Sequence, residues 1–466
     1  MSAARRRLDR AVSPLEAFAR LYAGDAQAFL CESLGEAGRN RYSFLGGRPT
    51  LIHRSRPDGI TVEDTATGAV RAVGDDLLES IRELLRDCEA LPEAPPFSSG
   101  VVGYLGYEIV RRFEKLEAAP PDPEGVPDSV LLVPAEIVIV DHHEGTTTVL
   151  LHGPAPEPAR LDAICAVLES VPAPEEPKGP TPAAPNPRRE LQLHAFTPRP
   201  VFEDGVRRMI EHIRAGDIFQ GVLSQRFETP LETDPLDLYR ALRVANPAPY
   251  MYFLKLSADH AVLGSSPEIL VSLEDGRALT RPLAGTRPRG SSPESDRENE
   301  RDLLADEKER AEHVMLVDLA RNDLGRVCDY GSVKVTRQFE IERHARVMHI
   351  VSEVEGRLRA EHDALDLLRA TFPAGTVSGA PKIRAMEILD ALEPVRRGLY
   401  GGAIGYIDPA GRMDLCLAIR TLVVHKGRVL LQAGAGVVAD SDPAKEYEET
   451  RHKASALVRA LEACRE

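Results

Sequence analysis

Tryptophan is absent from all 466 residues, an oddity that excludes nothing about the fold. Other absences say more. No stretch of about 18 apolar residues occurs, so no helix is expected to span a membrane. Arg5, Arg6 and Arg7 lead into no apolar run, so a secretory leader is not expected either. The six cysteines (Cys31, Cys88, Cys165, Cys328, Cys416, Cys464) never pair as C-x-x-C. That argues against a zinc site or a disulfide framework and suits reduced thiols in the cytoplasm. Positive charge is in short supply: 58 basic against 73 acidic residues leave a net charge of −15. Such a field repels phosphate, so neither nucleic acid nor an anionic membrane is an expected partner. A polyanionic small substrate would need positive charge gathered locally.

What is present is a globular composition, with 43% hydrophobic residues in a chain long enough for two or three domains. Seven prolines between Pro172 and Pro187 mark the clearest interruption. It divides the chain into an N-terminal region (1–171), a linker (172–195) and a C-terminal region (196–466). The first region reads as mostly β. It has a short amphipathic helix at Pro14 to Tyr22, a glycine-spaced run at Gly100 to Tyr107, and a hairpin whose arms begin at Glu136 and Thr146 and flank the turn Asp141 to Gly145. Beyond the linker, helical patterns at 201–215, 301–324, 364–371, 383–392 and 445–463 alternate irregularly with strand-like runs at 250–256, 261–264, 402–407, 415–423 and 428–432. Adjacent strand pairs with short turns predict antiparallel pairing rather than a doubly wound sheet.

Three elements invite anions. The run Thr371-Phe-Pro-Ala-Gly-Thr-Val-Ser-Gly-Ala-Pro-Lys-Ile-Arg384 leaves amides free between two helices and adds the charge of Lys382. Gln432-Ala-Gly-Ala-Gly436 follows a strand, and Arg420 ends another. Read singly, each is an ordinary turn or a surface cation; together they suggest a substrate with more than one carboxylate or phosphate. Two helices also present glutamates three residues apart, hence on one face: Glu309 with Glu312, and Glu446 with Glu449. Such pairs are usually a solvated face, yet two facing each other suit a hard cation.

These stretches, with Gly216-Asp-Ile-Phe-Gln220, Ser266-Pro-Glu268, Arg281 to Gly290, Ala311 to Arg326 and Val347 to Ser352, resemble the family of chorismate-using enzymes. That family comprises the large subunit of anthranilate synthase, component I of aminodeoxychorismate synthase, and isochorismate synthase. Glu32-Ser33, Arg41 to Gly46 and Gly103 to Tyr107 resemble its companion N-terminal domain. The resemblance implies an α+β fold: two antiparallel sheets packed as a sandwich, helices outside, substrate in a cleft. It implies Mg²⁺ on Glu309, Glu312, Glu446 and Glu449, neutralising the ring carboxylate of chorismate with help from Gly379 and Ala380. Arg420, Tyr400 and the amides of Gly434, Ala435 and Gly436 would take the enolpyruvyl carboxylate, with Lys382 supporting the charge balance. Glu268 matches the general acid, His349 the histidine of the later proton loss, and Thr376 sits in the cradle near the leaving hydroxyl.

Position 284 separates the branches. Those reading Pro-Ile-Lys-Gly-Thr use the lysine as base or nucleophile; here Pro282-Leu-Ala284-Gly-Thr286 leaves room for a small neutral attacker such as ammonia. The expectation is the anthranilate-forming branch. Aminodeoxychorismate formation and an inactive tryptophan-binding module remain as alternatives. Leu30-Cys-Glu32-Ser33 and Asn246-Pro-Ala-Pro249-Tyr250-Met251 resemble the tryptophan-inhibition elements, so Glu32, Ser33, Pro249, Tyr250 and Met251 are the candidate effector residues, with Glu32 taking the ammonium. No cysteine lies in a Gly-x-Cys-x-Gly elbow, so ammonia would come from a separate glutamine amidotransferase subunit in a hetero-oligomer.

Overall fold

The computed structural model describes residues 2–34, 41–91, 93–117, 119–153, 157–174, 191, 193–344 and 347–465. Most of the predicted linker therefore lies outside the described residues. Local rules operate where the sequence promised them. Helix Pro14–Leu21 opens with Ser13 capping the Glu16 amide and proline in the first turn, and buries Leu15, Ala17 and Phe18. The hairpin of Ser129–Asp141 and Thr146–Gly153 closes through Asp141, whose carboxylate accepts from the amides of His143 and Glu144 at 3.0 Å each.

Among the described residues every strand pairing is antiparallel, and two long strands link two sheets. Tyr42–Arg56 and Ser129–Asp141 run side by side, but their register slips where Pro49 faces Pro134. Neither proline can donate a ladder bond, so the ribbon changes direction there. On one side of the slip a sheet runs through Ser2–Leu8, Thr146–Gly153, the two long strands, Ala28–Glu32, Tyr250–Ser257, His260–Ser266, Thr421–His425, Arg428–Val437 and Gln220–Pro230. On the other side it runs through Ala69–Val73, Gly59–Asp64, the long strands, Val101–Leu105, Ala403–Ile407, Met413–Leu417, Ile269–Glu274, Arg277–Thr280 and Val347–Arg357.

Between the sheets lie Phe29, Phe44, Tyr104, Tyr252, Ile404 and Cys416, with the Phe97 and Tyr406 rings stacked at 4.8 Å. Helices cover the outer faces: Phe18, Ile164, Tyr239 and Leu457 pack on one sheet, Ile81, Val317, Leu368 and Met386 on the other. This is the expected sandwich. Strands from the two ends of the chain pair directly, Ala28–Glu32 with Tyr250–Ser257 and Val101–Leu105 with Ala403–Ile407, so residues of both regions can frame one site. No helix among the described residues is long and apolar enough to cross a membrane.

Three expected elements differ. The helix expected over 301–324 is two helices, Pro293–Ala305 and Glu307–Gly325, because Asp306 leaves helical geometry to cap the amides of Lys308 and Glu309. The strand expected over 415–423 is broken into Met413–Leu417 and Thr421–His425, with Arg420 at φ 52° between them. Gln432 to Gly436 is no turn: it continues strand Arg428–Val437 and pairs with Val222 to Arg226, the small side chains admitting close neighbours.

Candidate active site

The cradle begins where helix Ala364–Thr371 ends. Gly375–Val377 forms a tight turn, Ser378 Oγ donates to Ala374 O at 2.8 Å, and helix Lys382–Leu392 starts directly after Gly379–Ala380. Its floor is strand Gln220–Pro230: Val222 N donates to Ser378 O at 2.9 Å and Phe219 N to Ala380 O at 2.7 Å. Gly379 holds φ 145°, and a Cβ there would lie 2.3 Å from Gln220 O, so only glycine fits. Lys382 does not point into open space. Its Nζ donates to Asp323 Oδ2 at 2.8 Å and Thr371 O at 3.3 Å, tying the cradle to helix Glu307–Gly325.

Glu268 lies beside this cradle. Its side chain is buried, Thr376 Oγ1 donates to its Oε1 at 2.8 Å, and burial pushes the carboxyl up to about 8, against the opposing pull of Thr376, Lys453 and Arg420. At neutral pH it carries a proton. Arg420 is the complementary group. Burial lowers the affinity of its guanidinium for its proton, while Tyr400, Glu449 and Glu268 pull the other way. The guanidinium has no hydrogen bond or ion pair among the described residues. A partly buried cation without a partner is poised for an anion. The left-handed backbone at Arg420 places strain where a ligand-binding side chain must be aimed.

Tyr400 completes that end, half-buried and its hydroxyl hydrogen-bonded by the Gly434 backbone; a Cβ on Gly434 would sit 2.6 Å from the hydroxyl oxygen. Lys453, which sequence reasoning passed over, joins two predicted elements: its Nζ donates to Gly434 O at 3.1 Å and pairs with Glu449 Oε1 at 2.6 Å.

His349 owes its arrangement to a bulge. In the pairing of Leu283–Pro288 with Val347–Arg357 the register shifts at Gly285, φ 68°, leaving the Gly285 carbonyl 3.0 Å from His349 Nδ1, with Thr286 Oγ1 at 3.1 Å. Nδ1 therefore carries the hydrogen that Gly285 O accepts, and Nε2 keeps its lone pair. Burial drives the ring's pKa down to about 3, so it is neutral and able to accept a proton.

The glutamate pairs converge electrostatically. Glu309 Oε2 lies close to Gly285, where a Cβ would come within 3.2 Å, and its Oε1 is 3.6 Å from Arg287 Nη1. Burial raises the pKa of Glu309, Glu312 and Glu446; at Glu312 the charges of Glu309, Glu449 and Glu446 raise it further. Among the described residues no three acidic, histidine or cysteine side chains stand close enough to share an ion. Yet Glu446 Oε2 is buried without a hydrogen-bond partner. Mutually repelling carboxylates with one orphaned oxygen are donors of the kind a hard divalent cation takes. His313, beside Glu312 in sequence, faces the core instead, its Nε2 2.6 Å from Ser352 Oγ.

The residues expected to take an effector also come together, on another part of the first sheet. Glu32 pairs across from Met251, and Ser33 Oγ donates to Pro249 O at 2.9 Å. Tyr250 Oη donates to Asp414 Oδ1 at 3.1 Å. Glu32 is engaged already: Tyr239 Oη donates to it at 2.7 Å, and Arg243 holds it with two bonds of 3.0 and 3.1 Å.

The chain belongs to the chorismate binding enzyme family, whose model matches residues 52–459. Its relatives include anthranilate synthase component 1 of Streptomyces coelicolor, 48% identical over 97% of this chain and 87% of that one. Among solved structures, anthranilate synthase component I from Streptococcus pneumoniae superposes with a TM-score of 0.79 at 38% identity, covering 96% of this chain and 97% of that one. The menaquinone-specific isochorismate synthase of Escherichia coli, 18% identical over 99% and 95% of the two chains, shares the fold with a TM-score of 0.73.

Proposed function

We propose that this chain is the large subunit of an anthranilate synthase, converting chorismate and ammonia to anthranilate and pyruvate in tryptophan biosynthesis. The observation that carries this is Arg420, a partly buried guanidinium with no hydrogen-bond or ion-pair partner among the described residues, in electrostatic reach of a glutamic acid that stays protonated at neutral pH. Relatives bearing that activity in their names, 48% and 38% identical over nearly the whole chain, support the same reading.

In this reading Arg420 and Tyr400 bind the enolpyruvyl carboxylate, helped by Gly434, Ala435 and Gly436. Gly379 and Ala380 orient the ring carboxylate. Glu268 donates its proton to the C4 hydroxyl, which leaves as water when ammonia attacks C2, and Thr376 holds that carboxyl in place. His349 Nε2 then takes the ring proton at C2, and the electrons aromatise the ring as its C–O bond to the side chain breaks, releasing the enolate of pyruvate, which is protonated at its methylene carbon. Mg²⁺ on Glu309, Glu312, Glu446 and Glu449 would neutralise the ring carboxylate. Ala284, half-buried beside the Gly285 bulge, leaves the attacker's side without a competing amine. Ammonia would arrive from a separate glutamine amidotransferase in a hetero-oligomer, and tryptophan would act at the Glu32 region. All six cysteines are free thiols, which suits a cytoplasmic enzyme.

The test is the product formed by the purified chain from chorismate, Mg²⁺ and ammonium at high pH. Fluorescent anthranilate with equimolar pyruvate is expected. A product keeping the enolpyruvyl group would mean aminodeoxychorismate formation, and tryptophan binding without turnover would mean a regulatory module.

A further inference from the structure

Behind Tyr400 lies a charged side chain that the chemistry above does not use. Arg397 is 3% exposed, and every arm of it is committed. Its Nε and Nη2 hold the two Glu393 carboxylate oxygens at 2.8 and 2.7 Å; Nη1 donates to Val377 O at 2.5 Å and Nη2 to Val222 O at 2.6 Å. Glu393 in turn accepts from Ser224 N at 2.9 Å and Ser224 Oγ at 2.7 Å. Val377 follows Thr376, the residue bonded to Glu268, and Val222 lies on the strand under the cradle. The guanidinium is also sandwiched: its carbon lies 4.7 Å from the Tyr107 ring centroid and 5.7 Å from that of Tyr400. Tyr107 belongs to the N-terminal region, as does Glu108, whose Oε1 accepts from Arg397 N at 3.1 Å.

A buried ion pair is seldom the cheapest way to stabilise a core, since apolar residues of like volume often do as well. Here both π faces, both cradle carbonyls and one carboxylate converge on a single planar cation, which fixes directions as well as energy. Resting on the function proposed above, we infer that Arg397 is the positioning residue of this active site. It sets Tyr400 and the Thr376 turn in the geometry that binds the enolpyruvyl carboxylate, and Tyr107 makes the N-terminal region part of that support.

The test compares chorismate KM and kcat for Tyr107→Leu, Tyr107→Phe and Arg397→Lys with ammonium as co-substrate, alongside thermal melts. Tyr107 Oη is buried without a partner, so Tyr107→Phe keeps the π face and should hold KM within twofold of the parent. Tyr107→Leu removes that face and should raise KM about 3- to 30-fold while kcat falls less. Arg397→Lys, which cannot span Glu393, Val222 O and Val377 O together, should raise KM at least as much. If Tyr107→Leu does not fold, Arg397→Lys decides alone. A folded Tyr107→Leu or Arg397→Lys variant with KM within twofold of an active parent would overturn the inference and leave the function standing. A parent chain without chorismate turnover would overturn the functional reading, and this inference with it.

Discussion

The two regions in which ligand-binding residues gather treat their charges in opposite ways. Around the cradle, Arg420 has no partner among the described residues, Glu446 Oε2 is orphaned and Glu268 keeps its proton only because burial forbids ionisation. Around the first sheet's Ala28–Glu32 strand, Glu32 is 3% exposed and accepts three hydrogen bonds from Tyr239 and Arg243. The first region has left work for a ligand to complete. The second has completed its own, and an incoming ammonium must compete with Arg243 for the carboxylate. In the proposed reading, catalytic groups are prepared by withholding partners, whereas the proposed effector carboxylate, Glu32, is held in a satisfied state that a ligand must exchange for another.

The sharpest way to break this comparison is to fill the unsatisfied cleft. Ala284→Lys puts an ammonium at the half-buried position beside the Gly285 bulge, where it should compete with ammonia. Anthranilate formation should vanish; undiminished synthesis would show that position 284 does not face the attacked carbon. Next in size is Glu268→Gln, which keeps the shape and removes the acid, and should cost about 10²- to 10⁴-fold in kcat. The same variant tests the burial argument. A carboxyl whose folded pKa is raised from 4.5 to about 8 favours the fold fully at low pH, and that contribution is lost as pH rises through this window. Glu268→Gln should therefore gain on the parent in thermal stability between those limits, by up to about 5 kcal/mol. A pH-independent difference would mean that the carboxyl ionises freely in the folded chain.

Arg420→Gln should lower kcat/KM for chorismate by about 2–5 kcal/mol, carried mainly by KM, because a partly buried charge-to-carboxylate contact is lost. Removal of the guanidinium also lifts a positive charge from Glu268 and His349, so the upper pH limb of kcat should move to higher pH. A variant with unaltered KM would place the enolpyruvyl carboxylate elsewhere.

How much of this was legible in the sequence follows from where each property originates. The cradle was readable because glycine, serine and threonine between helices signal free amides locally, and the glutamate pairs because helical spacing is local too. The sandwich was readable from paired short strands. Lys382 was half legible: its charge is in the sequence, but its partner Asp323 is 59 residues away. Glu268 and His349 came from resemblance alone, since burial makes the one an acid and a bulge at Gly285 sets the tautomer of the other. Gly434 to Gly436 looked like a turn because small residues signal both turns and close strand packing. Arg397 was invisible, because the acid four residues before it, Glu393, mimics a solvated surface pair until the fold buries both.

The smallest expected effect tests the satisfied region. Tyr239→Phe removes one of three hydrogen bonds accepted by Glu32 while leaving the ring's packing against Phe253 intact. The lost bond to a buried carboxylate should destabilise the chain by about 1–3 kcal/mol. Chorismate turnover with ammonium should stay unchanged, because the active-site residues lie elsewhere on the sandwich. If Glu32 must surrender existing partners to receive an ammonium, a carboxylate with fewer of them binds tryptophan about 3- to 10-fold more tightly. Calorimetric titration with tryptophan reads this directly. Binding weakened in step with the loss of stability would instead make Tyr239 part of the effector's own site, and the contrast between withheld and exchanged partners would no longer separate the two regions.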